Sequence, residues 1–167
     1  MKNVFLIGFM GCGKSSVAKY LANAYGMQVV EMDEVLEEQA GMSIPTIFER
    51  YGETHFRDME TELVSAIQTQ EGKVVSCGGG VVLRRQNVEM MKQSGAIIWL
   101  TASPETILQR VAHDENRPLL KGKNNVSDIR ALMENRRAMY ESASEFVVHT
   151  DGKTIADIGE EIIAYMK

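Results

Sequence analysis

Short, continuously apolar runs recur along the chain at NVFLIGF, MQVVEM, KVVSC, AIIWLT and EFVVHT. Each is too short and too uniformly apolar for an amphipathic surface strand, and predicts a strand buried on both faces. Between the runs the period changes. Val17, Tyr20, Leu21 and Ala24 recur at steps of three and four, as do Phe56, Met59, Leu63 and Ile67, which is the spacing of a helix with one face on a core. The C-terminal DGKTIADIGEEIIAYMK predicts a loop and then a helix with Ile155, Ile158, Ile162 and Tyr165 on one side. Alternating strands and helices imply the α/β class: a parallel sheet with helices on both faces, right-handed crossovers, and ligand sites at the carboxyl ends of the strands. One stretch departs from this order. HDENRPLLKGKNNVS, residues 113 to 127, is polar and has only Leu119 and Leu120 to bury, so it predicts a mobile flap.

The 167 residues fit one domain, and neither a repeat nor a linker divides them. Hydrophobic residues at 44% and charged residues at 25% allow an ordinary core and exclude disordered and fibrous classes. A formal net charge of −5 disfavours general attraction to nucleic acid or anionic lipid, so an anionic ligand must meet a local cluster of basic groups. The first apolar run is too short to span a membrane and lacks a signal-peptidase site. Cys12 and Cys77 match no metal-ligand spacing or disulfide framework, which suits a reducing cytoplasm.

Directly after the first run, GFMGCGKS meets the pattern GxxxxGK[ST] with Gly8, Gly13, Lys14 and Ser15, and adds Gly11. Such a loop curls so that its N–H groups point inward and the following helix adds partial positive charge. Gly11, Cys12, Gly13, Lys14, Ser15 and Ser16 thus form the expected ATP phosphate cradle, with Lys14 reaching the β- and γ-phosphates and the Ser15 hydroxyl on Mg²⁺. Cys12 reads as a small filler; a thiolate acidified by the helix terminus is the alternative.

A phosphate loop does not choose an acceptor, so charged groups at other strand ends must. Asp33 follows the second run, where it could bind a hydroxylated substrate and take its proton, or cap a helix. Glu31, two residues earlier, falls on the same side in an extended chain. Arg57 lies three residues before Glu60, a spacing that lets the carboxylate hold the guanidinium, or simply makes a solvated pair. Gly78, Gly79 and Gly80 after the third run allow a ligand close to the backbone, or make a plain tight turn. Arg117 in the flap is placed to stabilise transition-state charge, and Arg136 and Arg137 follow in ENRRAMYE. A diol-binding aspartate with arginines beyond the nucleotide loop points to a small acceptor bearing hydroxyls and a carboxylate. A kinase for gluconate or a nucleoside monophosphate, and a nucleotide-binding regulator, stay open on these residues alone; paired Arg57 and Arg136 argue against the regulator.

The stretches GFMGCGKS, EMDEVLEEQAG, SIPTIFERYGETHFRDME, SCGGGVV, ENRPLL and RRAMYESASEFVV occur in an order and spacing that closely resembles the shikimate kinase family, over nearly the whole chain. The resemblance implies a P-loop NTPase-type three-layer α/β/α fold, like that of nucleoside-monophosphate kinases, with a five-stranded parallel sheet of order 2-3-1-4-5. It implies a single kinase domain over 1–167, a substrate-binding helical region at about 33–61 and a lid at about 112–125. The activity implied is Mg-dependent transfer of the ATP γ-phosphoryl group to the 3-hydroxyl of shikimate, in the biosynthesis of chorismate and aromatic amino acids. By the same likeness Asp33 holds the ring hydroxyls and serves as base, Arg57 and Arg136 bind the carboxylate, Gly79 contacts the ring, and Arg117 sits over the phosphates. Arg110 and the stretch around Lys153 frame adenine. One Mg²⁺ accompanies ATP, held by Ser15 and, through water, by Glu31. The expected partners are ATP and shikimate, with no nucleic acid and no membrane, for a cytoplasmic monomer. Three positions depart from the family's common pattern: Glu31 stands for aspartate, Ala138 for proline and Lys153 for arginine.

Overall fold

The computed structural model describes residues 1–111 and 126–167. Its strands are β1 (Asn3–Ile7), β2 (Gln28–Glu31), β3 (Lys73–Ser76), β4 (Gly95–Thr101) and β5 (Phe146–His149). All pair in parallel, in the order β2-β3-β1-β4-β5. Helix α1 (Lys14–Tyr25) follows β1; α2 (Met32–Ala40), α3 (Ile44–Tyr51) and α4 (Glu53–Ile67) lie between β2 and β3; a 3-10 turn (Val81–Leu83) and α5 (Arg85–Ser94) lead to β4. After β4 come α6 (Pro104–Val111) and α7 (Val126–Ala143), and α8 (Ile155–Met166) closes the chain.

The pleat of β1 shows why the apolar runs are continuous. Val4 and Leu6 enter one core with Val17, Leu21, Ile107, Ile158 and Ile162, while Phe5 and Ile7 enter a second with Met32, Leu36, Phe56, Leu63 and Tyr140. Alternate residues of one strand thus face helices on both sides, the three-layer arrangement that the period-two geometry of a strand requires. Helix α7 joins both sides, with Ile129 in the first core and Tyr140 in the second.

Burial on both faces holds for β1 and most of β3 and β4 but fails for β2, where Gln28 and Val29 are exposed and Val30 is half-buried, and for β5, where Val148 alone is buried. These strands are the sheet edges. Two helical stripes shift as well. Ala18 is buried on α1 while Ala24 is exposed. On α8 the buried face is Ile158, Ile162 and Ile163, whereas Ile155 and Tyr165 are exposed. Ile155 sits in the first turn, where a capping box from Thr154 and Asp157 fixes the helix start. The parallel register sets Leu6 and Glu31 both beside Ser76, so the segments after β1, β2 and β3 emerge together at one edge.

Candidate active site

The phosphate loop is built by glycines in left-handed or otherwise positive-φ backbone, two of which, Gly8 and Gly11, also have no room for a Cβ. Gly8, Gly11 and Gly13 have φ of 145°, 78° and 96°, which L side chains rarely adopt; a Cβ on Gly8 would lie 2.9 Å from the Cys12 sulfur, and one on Gly11 would lie 2.8 Å from Val111 Cγ1. Gly13 caps α1 with no side-chain hydrogen bond to the helix amides, which leaves the first turn to present its N–H groups and positive dipole end to an anion. Lys14 Nζ donates to the carbonyls of Gly8 at 2.7 Å and Phe9 at 3.3 Å, and stands 3.9 Å from Cys12 Sγ. Cys12 is buried at 1% exposure, as a filler should be. The Ser15 hydroxyl donates to Glu31 Oε2 at 3.1 Å, and Ser16 is exposed beside it.

Glu31 and Asp33 do not share a side as they would in a continuous strand. The chain turns from β2 into α2 at Met32, with Glu31 at the cap position and Asp33 inside the first turn, so helical geometry replaces the two-residue alternation. Glu31 goes to Ser15, and Asp33 goes to the turn after β3. Asp33 is therefore not the helix cap.

That turn is the centre of the second half of the site. A Cβ on Gly78 would be 2.8 Å from Asp33 Oδ1 and 3.2 Å from Glu60 Oε2; on Gly79, 2.8 Å from Arg136 Nη1; on Gly80, 2.6 Å from Arg57 Cζ. Three consecutive glycines thus admit, in sequence, two carboxylates, one guanidinium and another. Arg57 Nη1 donates to Glu60 Oε1 at 2.8 Å, and its far side reaches Glu53 Oε2 at 3.3 Å. The guanidinium lies over Phe48 and Phe56, 5.9 and 5.4 Å from their ring centroids. It is not a solvated pair: Glu60 is 1% exposed, and burial pushes its carboxyl up against the opposing pull of Arg57. Of the neighbouring arginines on α7, Arg136 faces Gly79, whereas Arg137 pairs with Glu134 at the surface.

Both halves converge on Cys77. Its thiol is raised by burial, lowered by Lys14, and raised again by Glu60, Asp33 and Glu31, so phosphate-loop and acceptor-side charges lie within electrostatic range of one buried atom. Among the other expected residues, Arg110 Nη1 donates to the Gly11 carbonyl at 3.0 Å and to Thr150 Oγ1 at 3.4 Å. Lys153 Nζ pairs instead with Glu161 of α8 at 2.8 Å. Arg117 and the lid at about 112–125 lie outside the described residues. Two groups were not singled out from sequence. Tyr140 donates to the Gly79 carbonyl at 2.9 Å. Asp151 accepts from Ser103 N–H and from the hydroxyls of Ser103 and Thr106 at 2.9, 3.0 and 2.6 Å. The Thr106 hydroxyl foremost, and then the Ser103 hydroxyl and amide, lower the Asp151 carboxyl against the opposing effect of burial.

A family model for shikimate kinase matches residues 10–167. The chain belongs to the shikimate kinase family. Shikimate kinase from Sulfurihydrogenibium sp. (strain YO3AOP1) is 43% identical over 167 residues, covering 100% of this chain and 99% of that protein. A solved shikimate kinase from Acinetobacter baumannii, in complex with shikimate, is 32% identical with a TM-score of 0.89 and covers 99% of this chain and 92% of its own. The Aquifex aeolicus shikimate kinase structure is also 32% identical, with a TM-score of 0.81 over 97% of this chain and 94% of its own. The chain is thus a nucleotide-binding, ATP-dependent transferase of the shikimate pathway. The observed sheet order is the one that the sequence resemblance implies, and among the described residues no helix is long and apolar enough to cross a membrane.

Proposed function

We propose that the two halves of the site divide the phosphoryl transfer to shikimate between them, the phosphate loop taking ATP and the three-glycine turn taking the acceptor. The observation that carries this reading is the turn itself, whose missing side chains make room for Asp33 and Glu60, Arg136 and Arg57 in succession. Arg57 and Arg136 hold the shikimate carboxylate, and Gly78, Gly79 and Gly80 let the ring approach the backbone. Asp33 orients the ring hydroxyls and accepts the proton of the attacking 3-hydroxyl. Glu60 steadies Arg57. Because phosphoryl transfer passes through a loose transition state, the residues chiefly align two substrates and neutralise charge. Lys14 does so at the β- and γ-phosphates within the Gly11–Ser16 cradle, and Arg117, by sequence, at the transferring group. Arg110, already bridging Gly11 and Thr150, borders the base side together with the loop of Lys153.

Ser15 and Glu31 offer adjacent oxygen donors, 3.1 Å apart, which fit a hard cation. Ser15 would hold one Mg²⁺ directly and Glu31 through water, and the bound ion supplies neutralisation of phosphate charge. The lid at about 112–125 and the helical region at about 33–61 serve a single kinase domain. The two free cysteines fit the cytoplasm.

The test is ADP release from the wild-type enzyme with ATP and shikimate, gluconate or a nucleoside monophosphate, coupled with calorimetry on Asp33→Asn. Turnover with shikimate alone is expected, and the variant should lose shikimate affinity while keeping ATP affinity. Lost ATP affinity with shikimate affinity intact would overturn the division.

A further inference from the structure

Tyr140 is 2% exposed and sits four residues after Arg136, one turn along the same face of α7. Its hydroxyl donates to the Gly79 carbonyl at 2.9 Å, while Arg136 Nη1 occupies the space where a Gly79 side chain would begin. One helix therefore grips one glycine from two sides, by a fixed hydrogen bond and by the guanidinium. The phenol ring belongs to the same buried core cluster as Phe5, Ile97 and Val81 and lies 6.0 Å, centroid to centroid, from Trp99 at a tilt of 37°, surroundings that restrict its movement. A buried tyrosine needs some partner for its hydroxyl. Here that partner is the middle residue of the turn on which the acceptor side of the site is assembled.

The consequence follows from peptide geometry. Among the described residues there is no cis peptide bond, and in a trans peptide the carbonyl and the next N–H point in opposite directions. Pinning the Gly79 carbonyl therefore fixes the direction of the Gly80 N–H, in a segment where consecutive glycines impose little backbone preference of their own. We infer that Tyr140 is a positioning residue for the acceptor, holding the Gly79–Gly80 peptide and the α7 arginine in one register. This rests on the assignment of the three-glycine turn to shikimate.

The experiment is steady-state kinetics of Tyr140→Phe, which removes the hydroxyl and keeps the ring, beside Arg136→Ala. Tyr140→Phe should raise the shikimate KM by roughly 5- to 10-fold, the effect of one lost hydrogen bond, with kcat and the ATP KM within about twofold of wild type. Emission from Trp99, the single tryptophan, should remain that of the wild type, showing the ring packing intact. An unchanged shikimate KM, or an ATP KM raised by the same factor, overturns the inference; so does a variant that fails to fold, since the hydroxyl then serves stability. Arg136→Ala separates the two levels. If it raises the shikimate KM and Tyr140→Phe does not, only the role of Tyr140 falls. If Arg136→Ala also leaves it unchanged, the assignment of the turn to shikimate falls with it.

Discussion

Nη1 of Arg57 stands 2.8 Å from Oε1 of Glu60, an ion pair whose carboxylate is almost wholly buried and whose guanidinium faces the three-glycine turn after β3. Burial raises the Glu60 carboxyl, Asp33 adds to the rise, and Arg57 and Arg84 oppose it. A raised carboxyl takes its proton at a higher pH than an exposed glutamate, whose ordinary value is 4.5. As pH falls through the raised value, Glu60 becomes neutral and its hold on Arg57 weakens. The shikimate KM should therefore climb on the acid side earlier than free carboxylates titrate, and Glu60→Gln should show the high KM at every pH. Shikimate KM measured from neutral to mildly acid pH checks this; superimposable profiles for wild type and Glu60→Gln would remove the link. The sign for folding is opposite to that of a salt-bridged surface carboxylate, because here ionisation as pH rises works against the folded state.

Gly80→Ala isolates contact from backbone strain. Gly80 has φ −101° and ψ 7°, which alanine can adopt, yet its Cβ would fall 2.6 Å from Arg57 Cζ and 2.7 Å from Nη2. The guanidinium must move, and Glu60 and the two phenylalanines that hold it leave little freedom to do so. The shikimate KM should rise on the order of tenfold or more with the ATP KM little changed. Kinetics with each substrate varied in turn checks this, and an equal rise in both would mean that the turn supports the whole edge of the sheet rather than the acceptor side.

The fold was legible because its strongest signals are local. Continuous apolar runs mark strands, and their failure at β2 and β5 comes from lateral position in the sheet, which no run encodes. The phosphate loop was legible for the same reason: glycines with φ that only glycine adopts easily, followed at once by lysine and serine. Arg57 and Glu60 announced themselves by helical spacing, though not the burial that turns a surface pair into a fixed clamp. Tyr140 was hidden because an aromatic residue in a helical stripe looks like core, and it is core; only the direction of its hydroxyl distinguishes it. Asp151 was hidden because its partners Ser103 and Thr106 lie far away in sequence.

A second carboxylate cluster gives a prediction at the opposite end of the pH scale. Glu160 on α8 accepts hydroxyl hydrogen bonds from Tyr20 at 2.7 Å and Tyr25 at 2.6 Å, both on α1, tying the two helices together at the surface. The hydrogen bond to Glu160 is the largest cause that raises both phenols, Tyr25 to about 12, and the same bonds, Tyr25 first, lower the Glu160 carboxyl. A phenol favoured in its neutral form by folding stabilises the protein fully below about pH 10, its unfolded value, and loses that contribution as pH rises toward 12. The lowered Glu160 acts in the other direction, contributing above its ordinary value of 4.5 and losing that contribution as pH falls through the lowered one. Ultraviolet titration of phenolate should therefore show a late-ionising component that Tyr25→Phe removes. Glu160→Gln should move that component back toward about 10, because the amide carries no charge to oppose phenolate formation. A titration curve unchanged by Glu160→Gln would mean that the carboxylate does not hold these hydroxyls in solution, and that α1 and α8 are joined by their buried apolar faces alone.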